Sequence, residues 1–201
     1  MTKILFSTRN CRTYISALRA ILILLGIFAS YLIAIQLTGN FHVVVEGELY
    51  RSNQPDIDRL VAMKKDYGIK TIINLRGESP GSKWFEQEVY TANALKMDFI
   101  DFEMSATRQL NISDINRLVE VMSAADKPIL IHCKSGADRT GLAAALYVAA
   151  IVGKSSNVAQ QQLSILYGHF GFPLSSTYAM DRSFETYLKH SMDTSDSSLQ
   201  N

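Results

Sequence analysis

The chain has 201 residues, of which 47% are hydrophobic and 19% charged, and its formal net charge is +1. This length and composition predict one globular domain with a sizeable core and leave no room for a second catalytic domain. Basic residues crowd the N-terminus, so the rest of the chain is mildly acidic and gives no electrostatic reason to expect nucleic-acid binding.

An uncharged apolar run from Ala20 to Leu37 has about the minimum length for crossing a hydrocarbon core roughly 30 Å thick. We predict a transmembrane helix here, with a cleaved signal peptide or a buried core helix as alternatives. Cleavage is disfavoured because small residues at the usual spacing are hard to find after the run. The N-terminal flank is basic, which predicts a cytoplasmic N-terminus and a single pass through the inner membrane, with the domain periplasmic in a bacterium.

These features divide the chain into five predicted parts. In chain order they are a basic N-terminus, a transmembrane helix, a linker, a folded domain and a disordered tail, over residues 1–19, 20–37, 38–44, 45–190 and 191–201.

Within the domain, short β-branched runs alternate with amphipathic segments. A hairpin or an edge strand is expected over 41–51, with a turn at Glu46-Gly47. The other predicted strands are 71–75, 98–104 and 128–132, and the predicted helices are 55–67, 82–95, 112–125, 141–152, 155–167 and 175–189. This alternation predicts an α/β domain whose central, largely parallel sheet is flanked by helices.

One strand leads directly into a loop whose residue types indicate an anion-binding, catalytic role. The apolar strand ending at Ile131 is followed by His132-Cys133-Lys134-Ser135-Gly136-Ala137-Asp138-Arg139-Thr140-Gly141 and then by an apolar helix. A strand-to-helix loop of this kind can turn its backbone N–H groups inward at a helix N-terminus and so bind an anion. The predicted phosphate-binding residues are Cys133, Lys134, Ser135, Gly136, Ala137, Asp138 and Arg139.

The spacing also suggests a role for each reactive side chain. Inward dipoles and Arg139 favour the thiolate of Cys133, which makes it a nucleophile. Arg139 can hold two phosphate oxygens at once, a geometry that lysine cannot reproduce. Thr140 could donate a hydrogen bond to the sulfur, and His132 would fix the loop from behind.

The segment His-Cys-x5-Arg-Thr-Gly resembles the signature of protein tyrosine and dual-specificity phosphatases, over about residues 45–190. Tyr50-Arg51-Ser52 and Ile73-Asn74-Leu75-Arg76-Gly77 also look like segments of compact members, here of a bacterial membrane-anchored type. The resemblance implies a dual-specificity-phosphatase-like fold and hydrolysis of phosphate monoesters through a cysteinyl phosphate, without metal or cofactor.

The general acid is left open between two aspartates. Members of the family usually carry an acid on a separate loop about thirty residues before the cysteine, but 104–110 has no carboxylate. Asp101 stands at a suitable separation in a strand-like context. Asp138, inside the loop, resembles the acid of phosphoinositide-directed and atypical bacterial members, although it could also only brace the loop.

Three functions therefore remain open. The resemblance makes a phosphorylated protein the default substrate. The membrane helix and Lys134 favour a phospholipid, such as a phosphoinositide or a phosphatidylglycerophosphate-like head group. The missing loop acid also leaves room for a non-catalytic phosphate-binding module.

Overall fold

The computed structural model describes the backbone of residues 8–198 and the side chains of residues 14–194. It contains one five-stranded sheet, in the order β1-β2-β5-β3-β4, and only β1 is antiparallel to its neighbour. The strands are β1 His42–Val45, β2 Leu49–Ser52, β3 Thr71–Asn74, β4 Asp98–Asp101 and β5 Ile129–His132. The predicted α/β class, the largely parallel sheet and the N-terminal hairpin are confirmed.

Seven α-helices accompany the sheet within the described residues. They are α1 Thr8–Leu37, α2 Ile57–Tyr67, α3 Lys83–Ala94, α4 Ile112–Ala124, α5 Asp138–Leu146, α6 Ser156–Gln160 and α7 Ala179–Ser198. Local sequence sets their ends. For example, the Asp56 side chain accepts a hydrogen bond from the backbone N–H of Arg59 at the start of α2, and Gly68 ends that helix in a left-handed conformation.

The inner strands β2, β5 and β3 are buried at every residue because helices cover both faces of the sheet, whereas the edge strands β1 and β4 are only partly buried. Leu49, Ile73 and Ile131 face a core that includes side chains of α4, α5 and α7. On the other face, where alternate residues point, Tyr50 and Ile72 pack with side chains of α2 and α3. The carboxyl ends of the parallel strands are therefore held at one rigid edge.

The predicted helix over 155–167 is wrong. Only Ser156–Gln160 is α-helical, and a separate 3₁₀ turn covers Ile165–Tyr167. The interruption has a physical cause, because both the backbone carbonyl and the side-chain oxygen of Gln162 accept hydrogen bonds from the buried guanidinium of Arg51. The helix predicted over 141–152 begins earlier, at Asp138, and ends in a π-helical turn, Tyr147–Ile151.

The C-terminal tail also differs from the expectation. Residues 191–198 continue α7, and residues 199–201 lie outside the described part of the chain.

At the other end of the chain, α1 includes a stretch, Tyr14–Leu37, that is long and apolar enough to cross a membrane. Where a linker over 38–44 was expected, Asn40 is buried and residues 42–44 belong to β1. The Asn40 amide donates to the carbonyls of Ser135 and Tyr167, at 2.9 Å each, and the Gln36 amide also donates to Ser135, at 3.1 Å. The helix is therefore packed directly against the predicted anion-binding loop.

Candidate active site

The loop between β5 and α5 carries the predicted nucleophile. Strand β5 ends at His132, the chain turns through residues 133–137, and α5 begins at Asp138. The side chain of Cys133 is almost fully buried at the start of this turn. The predicted strand, loop and helix therefore form one continuous unit at the carboxyl edge of a parallel sheet, where α/β folds bind ligands.

Gly136 shapes the loop. Its φ of +71° is strained for other residues, and a Cβ added there would lie 2.7 Å from backbone atoms of Ser52 and Asn53. Only glycine lets the loop approach β2 this closely.

A buried arginine braces the same loop. The guanidinium of Arg51 donates to the carbonyls of Gly136 at 2.8 Å and Ala137 at 3.4 Å, and it lies 3.8 Å from the ring centroid of Tyr167. Burial lowers the pKa of Arg51 to about 10, which still leaves it charged at neutral pH. Because it holds the loop carbonyls outside the cradle, Arg51 is a positioning residue.

The guanidinium of Arg139 is anchored on one side. Its Nη1 donates to the carbonyls of Leu75 and Met104, at 3.3 Å each. Its Nε is buried and has no hydrogen-bond partner among the described residues. An unpaired buried donor is costly unless a ligand satisfies it, and a phosphate oxygen would do so.

Behind the cysteine, His132 meets a buried carboxylate that sequence reasoning missed. His132 Nε2 lies 2.8 Å from Oε1 of Glu88, and the other Glu88 oxygen accepts from the Gln54 amide at 2.8 Å. Glu88 shares the buried face of α3 with Thr91 and Ala92, so the helical period was the signal that could have revealed it.

Arg76 extends this network towards the site. It donates to Gln54 Oε1 at 2.7 Å and lies over the ring of Trp84, 3.4 Å from its centroid. Burial lowers the pKa of Arg76, the nearby charge of Arg139 lowers it further, and Glu88 and Cys133 oppose the change. A second cation therefore lies close to Arg139.

Asp138 has a partner that the sequence did not predict. Its Oδ1 lies 2.7 Å from Nδ1 of His169, and the opposite ring nitrogen lies 2.9 Å from Oδ2 of Asp181. Burial alone lowers the pKa of His169, but hydrogen bonds to the two carboxylates outweigh it and raise this pKa to about 9. At neutral pH a protonated imidazole thus links the anion-binding loop to α7.

Asp101, the other candidate for the acid, lies at a different place on the carboxyl edge of the sheet. It is the last residue of β4, level with Asn74, which is in turn level with His132 of β5. Its Oδ1 accepts from the Asn74 amide at 2.7 Å. Burial raises the pKa of Asp101, although the Asn74 hydrogen bond opposes that rise.

The remaining predicted site residues are placed as follows. Lys134 is exposed, and the carbonyl of Ser135 accepts hydrogen bonds from the side-chain amides of Gln36 and Asn40. The Thr140 hydroxyl is buried without a hydrogen-bond partner among the described residues, so its bond to the sulfur stays a prediction. Among the side chains of residues 14–194, no group of His, Cys, Asp and Glu is arranged to hold a metal ion.

A buried cysteine and an anchored arginine at opposite ends of a strand-to-helix loop define the class of cysteine-dependent phosphatases. Residues 38–191 match the family described as PTP-SAK, Swiss Army Knife protein, DSP-PTPase phosphatase domain. The chain belongs to this family and is a cysteine-based phosphatase. No curated protein sequence matches it significantly.

Solved structures share the fold at low sequence identity. TpbA of P. aeruginosa, solved in complex with pTyr, is 19% identical, with a TM-score of 0.56, and the match covers 75% of this chain and 91% of TpbA. The core catalytic domain of the PP-IP phosphatase SIW14 from S. cerevisiae is also 19% identical, with a TM-score of 0.57 and coverage of 78% and 93%. PTPMT1 in complex with PI(5)P is 12% identical, with a TM-score of 0.57 and coverage of 75% and 98%.

Proposed function

We propose that this chain hydrolyses phosphate monoesters in two steps through Cys133, with phosphorylated protein as its main substrate. The thiolate attacks phosphorus, the ester P–O bond breaks, and an acid protonates the departing oxygen. Water then attacks the cysteinyl phosphate and gives a proton back to the acid, the S–P bond breaks, and inorganic phosphate is released from the regenerated thiolate. The observation that carries the proposal is the unpaired Nε of Arg139, a buried donor beside the loop that holds the cysteine.

Asp138 is the acid in this proposal, and the protonated His169 at its Oδ1 supplies the proton that it donates. Asp138 adjoins Arg139 at the start of α5, its side chain is 20% exposed, and only one of its oxygens is engaged by His169. Asp101 is the second candidate, because a raised pKa suits a proton donor. It ranks below Asp138 because it lies in a strand and its side chain is held by the Asn74 amide.

A membrane phospholipid is the second candidate substrate. It is favoured by the contacts of Gln36 and Asn40 with Ser135, which join the end of α1 to the phosphate-binding loop. A domain held this close to an anchor would meet head groups at the membrane surface. The solved complexes of related folds with pTyr and with PI(5)P are consistent with either class of substrate.

We also propose that α1 anchors the chain in the inner membrane by a single pass. Lys3, Arg9, Arg12 and Arg19 precede the apolar run, which favours a cytoplasmic N-terminus and a periplasmic domain. Labelling an engineered cysteine at the exposed Tyr90, in intact cells with a membrane-impermeant maleimide, tests this topology. Labelling only after lysis would contradict it.

The activity is tested with the full-length protein in detergent micelles. Hydrolysis of p-nitrophenyl phosphate should be inhibited by vanadate and lost in Cys133→Ser. An aryl leaving group scarcely needs an acid, so a folded but inactive wild type would refute the proposed reaction. Rates on a phosphotyrosine peptide and on vesicles containing a phosphoinositide or phosphatidylglycerophosphate then separate the two substrate classes.

A further inference from the structure

One surface of the domain is apolar, exposed and uncharged. The segment from Ser164 to Leu174, here called the apolar loop, follows α6 and precedes α7. Its exposed apolar side chains are Ile165, Leu166, Phe172 and Leu174, and Leu174 is 95% exposed. No Lys, Arg, Asp or Glu occurs anywhere in residues 155–180. A charge-free surface of this kind marks an interaction site.

The apolar loop lies against α1, deep within the predicted membrane span. Tyr31 donates a hydrogen bond from its hydroxyl to the carbonyl of Leu166 at 2.6 Å. The rings of Phe28 and Phe170 meet edge to face, with their centroids 6.2 Å apart. Phe28 is nine residues before the end of α1, about 13 Å along the helix axis.

Helix length excludes an arrangement in which the loop stays in water while α1 spans the bilayer. If α1 left the membrane before Phe28, the charge-free part from Ala20 to Ile27 would span only about 12 Å. Even the stretch from Tyr14, which includes Arg19, would span only about 21 Å. Both are shorter than a hydrocarbon core of roughly 30 Å. The whole helix from residue 8 would reach about 30 Å only with three arginines inside the core, which is costly. The part of α1 that contacts the loop is therefore needed inside the membrane.

The loop is also too firmly attached to swing away from α1. The Tyr167 carbonyl accepts from Asn40, and His169 is bound to both Asp138 and Asp181. These bonds fix the loop to the end of α1 on one side and to the domain on the other. When α1 is inserted, the loop must follow it.

We infer that the apolar loop inserts Phe172 and Leu174 into the outer half of the bilayer that α1 spans. The inference goes beyond the proposed reaction and rests on the proposed anchor. Its partner is the lipid itself, where apolar side chains gain burial and no exposed charge has to be desolvated, because the charged His169 is already buried in the protein. Since Gln36 and Asn40 hold Ser135 at the outer end of α1, this contact would keep the catalytic loop at the level of the lipid head groups.

The test uses full-length protein in phosphatidylcholine nanodiscs, in a Cys11→Ser, Cys133→Ser background. The single variants Phe172→Cys and Leu174→Cys carry an environment-sensitive fluorophore on the new thiol, and brominated lipid acts as the quencher. Tyr90, which is 75% exposed on α3, is the matched control on the domain, and Leu24, which is 65% exposed on α1, reports on the anchor. Circular dichroism confirms that each variant is folded.

We expect bromolipid to quench the labels at Phe172, Leu174 and Leu24 strongly and the label at Tyr90 hardly at all. If Leu24 is quenched but Phe172 and Leu174 behave like Tyr90, the loop inference is overturned and the anchor stands. If Leu24 is not quenched either, both fall. Energy transfer between loop labels on two copies, without quenching by lipid, would assign the surface to a second copy and overturn the inference as well.

Discussion

His169 holds Asp138 through a 2.7 Å contact between Nδ1 and Oδ1, although the two residues are 31 positions apart in the chain. The carboxylate of Asp181 lies within hydrogen-bond distance of the opposite ring nitrogen, so the buried imidazole lies between two carboxylates. The contact connects the phosphate-binding loop to the apolar loop and to α7. It makes the conformation of Asp138 dependent on the protonation of a single histidine.

The first prediction concerns the pH dependence of stability. The pKa of His169 is raised from 6.5 to about 9 in the folded protein, so its contribution is complete below about pH 6.5 and is lost as the pH rises through 9. Its loss should cost on the order of 2 kcal/mol, or several degrees in Tm. His169→Gln should therefore lower Tm at pH 6, and the difference from wild type should narrow by pH 9.5. His190→Gln, at an exposed histidine of α7, is the control. If Tm plotted against pH gave parallel curves for wild type and His169→Gln, the result would count against the ion-pair network.

The second prediction compares two glycines with the same φ angle. Gly136 and Gly47 both have φ of +71°, but only at Gly136 would a Cβ collide with backbone, at 2.7 Å. Gly47→Ala should cost about 1 kcal/mol, the strain of the left-handed region alone. Gly136→Ala should cost more in thermal unfolding and should also abolish vanadate binding. Equal costs, with vanadate binding retained in both, would show that the loop does not need this close approach.

The third prediction concerns the arginine. Arg139→Lys keeps the charge but loses the planar pair of donors, so kcat on p-nitrophenyl phosphate should fall about 10²- to 10³-fold. Arg182→Lys, at an exposed site on α7, should change kcat little. A fully active Arg139→Lys protein would show that only charge matters at this position.

The fourth prediction assigns the acid by its dependence on the leaving group. Asp138→Asn should lower kcat on an alkyl phosphate about 10²-fold or more, but hardly affect an aryl phosphate, whose leaving group needs no proton. Asp101→Asn should affect both substrates similarly and weakly. The reverse pattern, with the leaving-group effect in Asp101→Asn, would move the acid to β4.

Local sequence predicted most of the fold. The hairpin, the buried strands and the helix before β5 follow from apolar periodicity and from glycine positions, and their ends agree within a few residues. The break in the helix predicted over 155–167 did not follow from local sequence, because the conformation there depends on a distant residue. Arg51, more than one hundred positions earlier, takes the Gln162 carbonyl that a continuous helix would have used.

The candidate active site likewise has one part that local sequence predicts and one part that it does not. Cys133, Arg139 and the loop between them are contiguous, so their spacing alone predicts their arrangement. Glu88 and His169 come from distant elements, and nothing local marks them as partners of His132 and Asp138. Long-range partners of this kind depend on how the helices pack on the sheet.

The proposed reaction requires a covalent bond between phosphorus and the sulfur of Cys133. Acid quenching of the wild-type protein during turnover of p-nitrophenyl phosphate, followed by mass spectrometry of its peptides, should find the phosphoryl group on Cys133. The same experiment with Cys133→Ser should find neither the adduct nor turnover. Continued hydrolysis by Cys133→Ser, or a phosphoryl group on another residue during wild-type turnover, would contradict it.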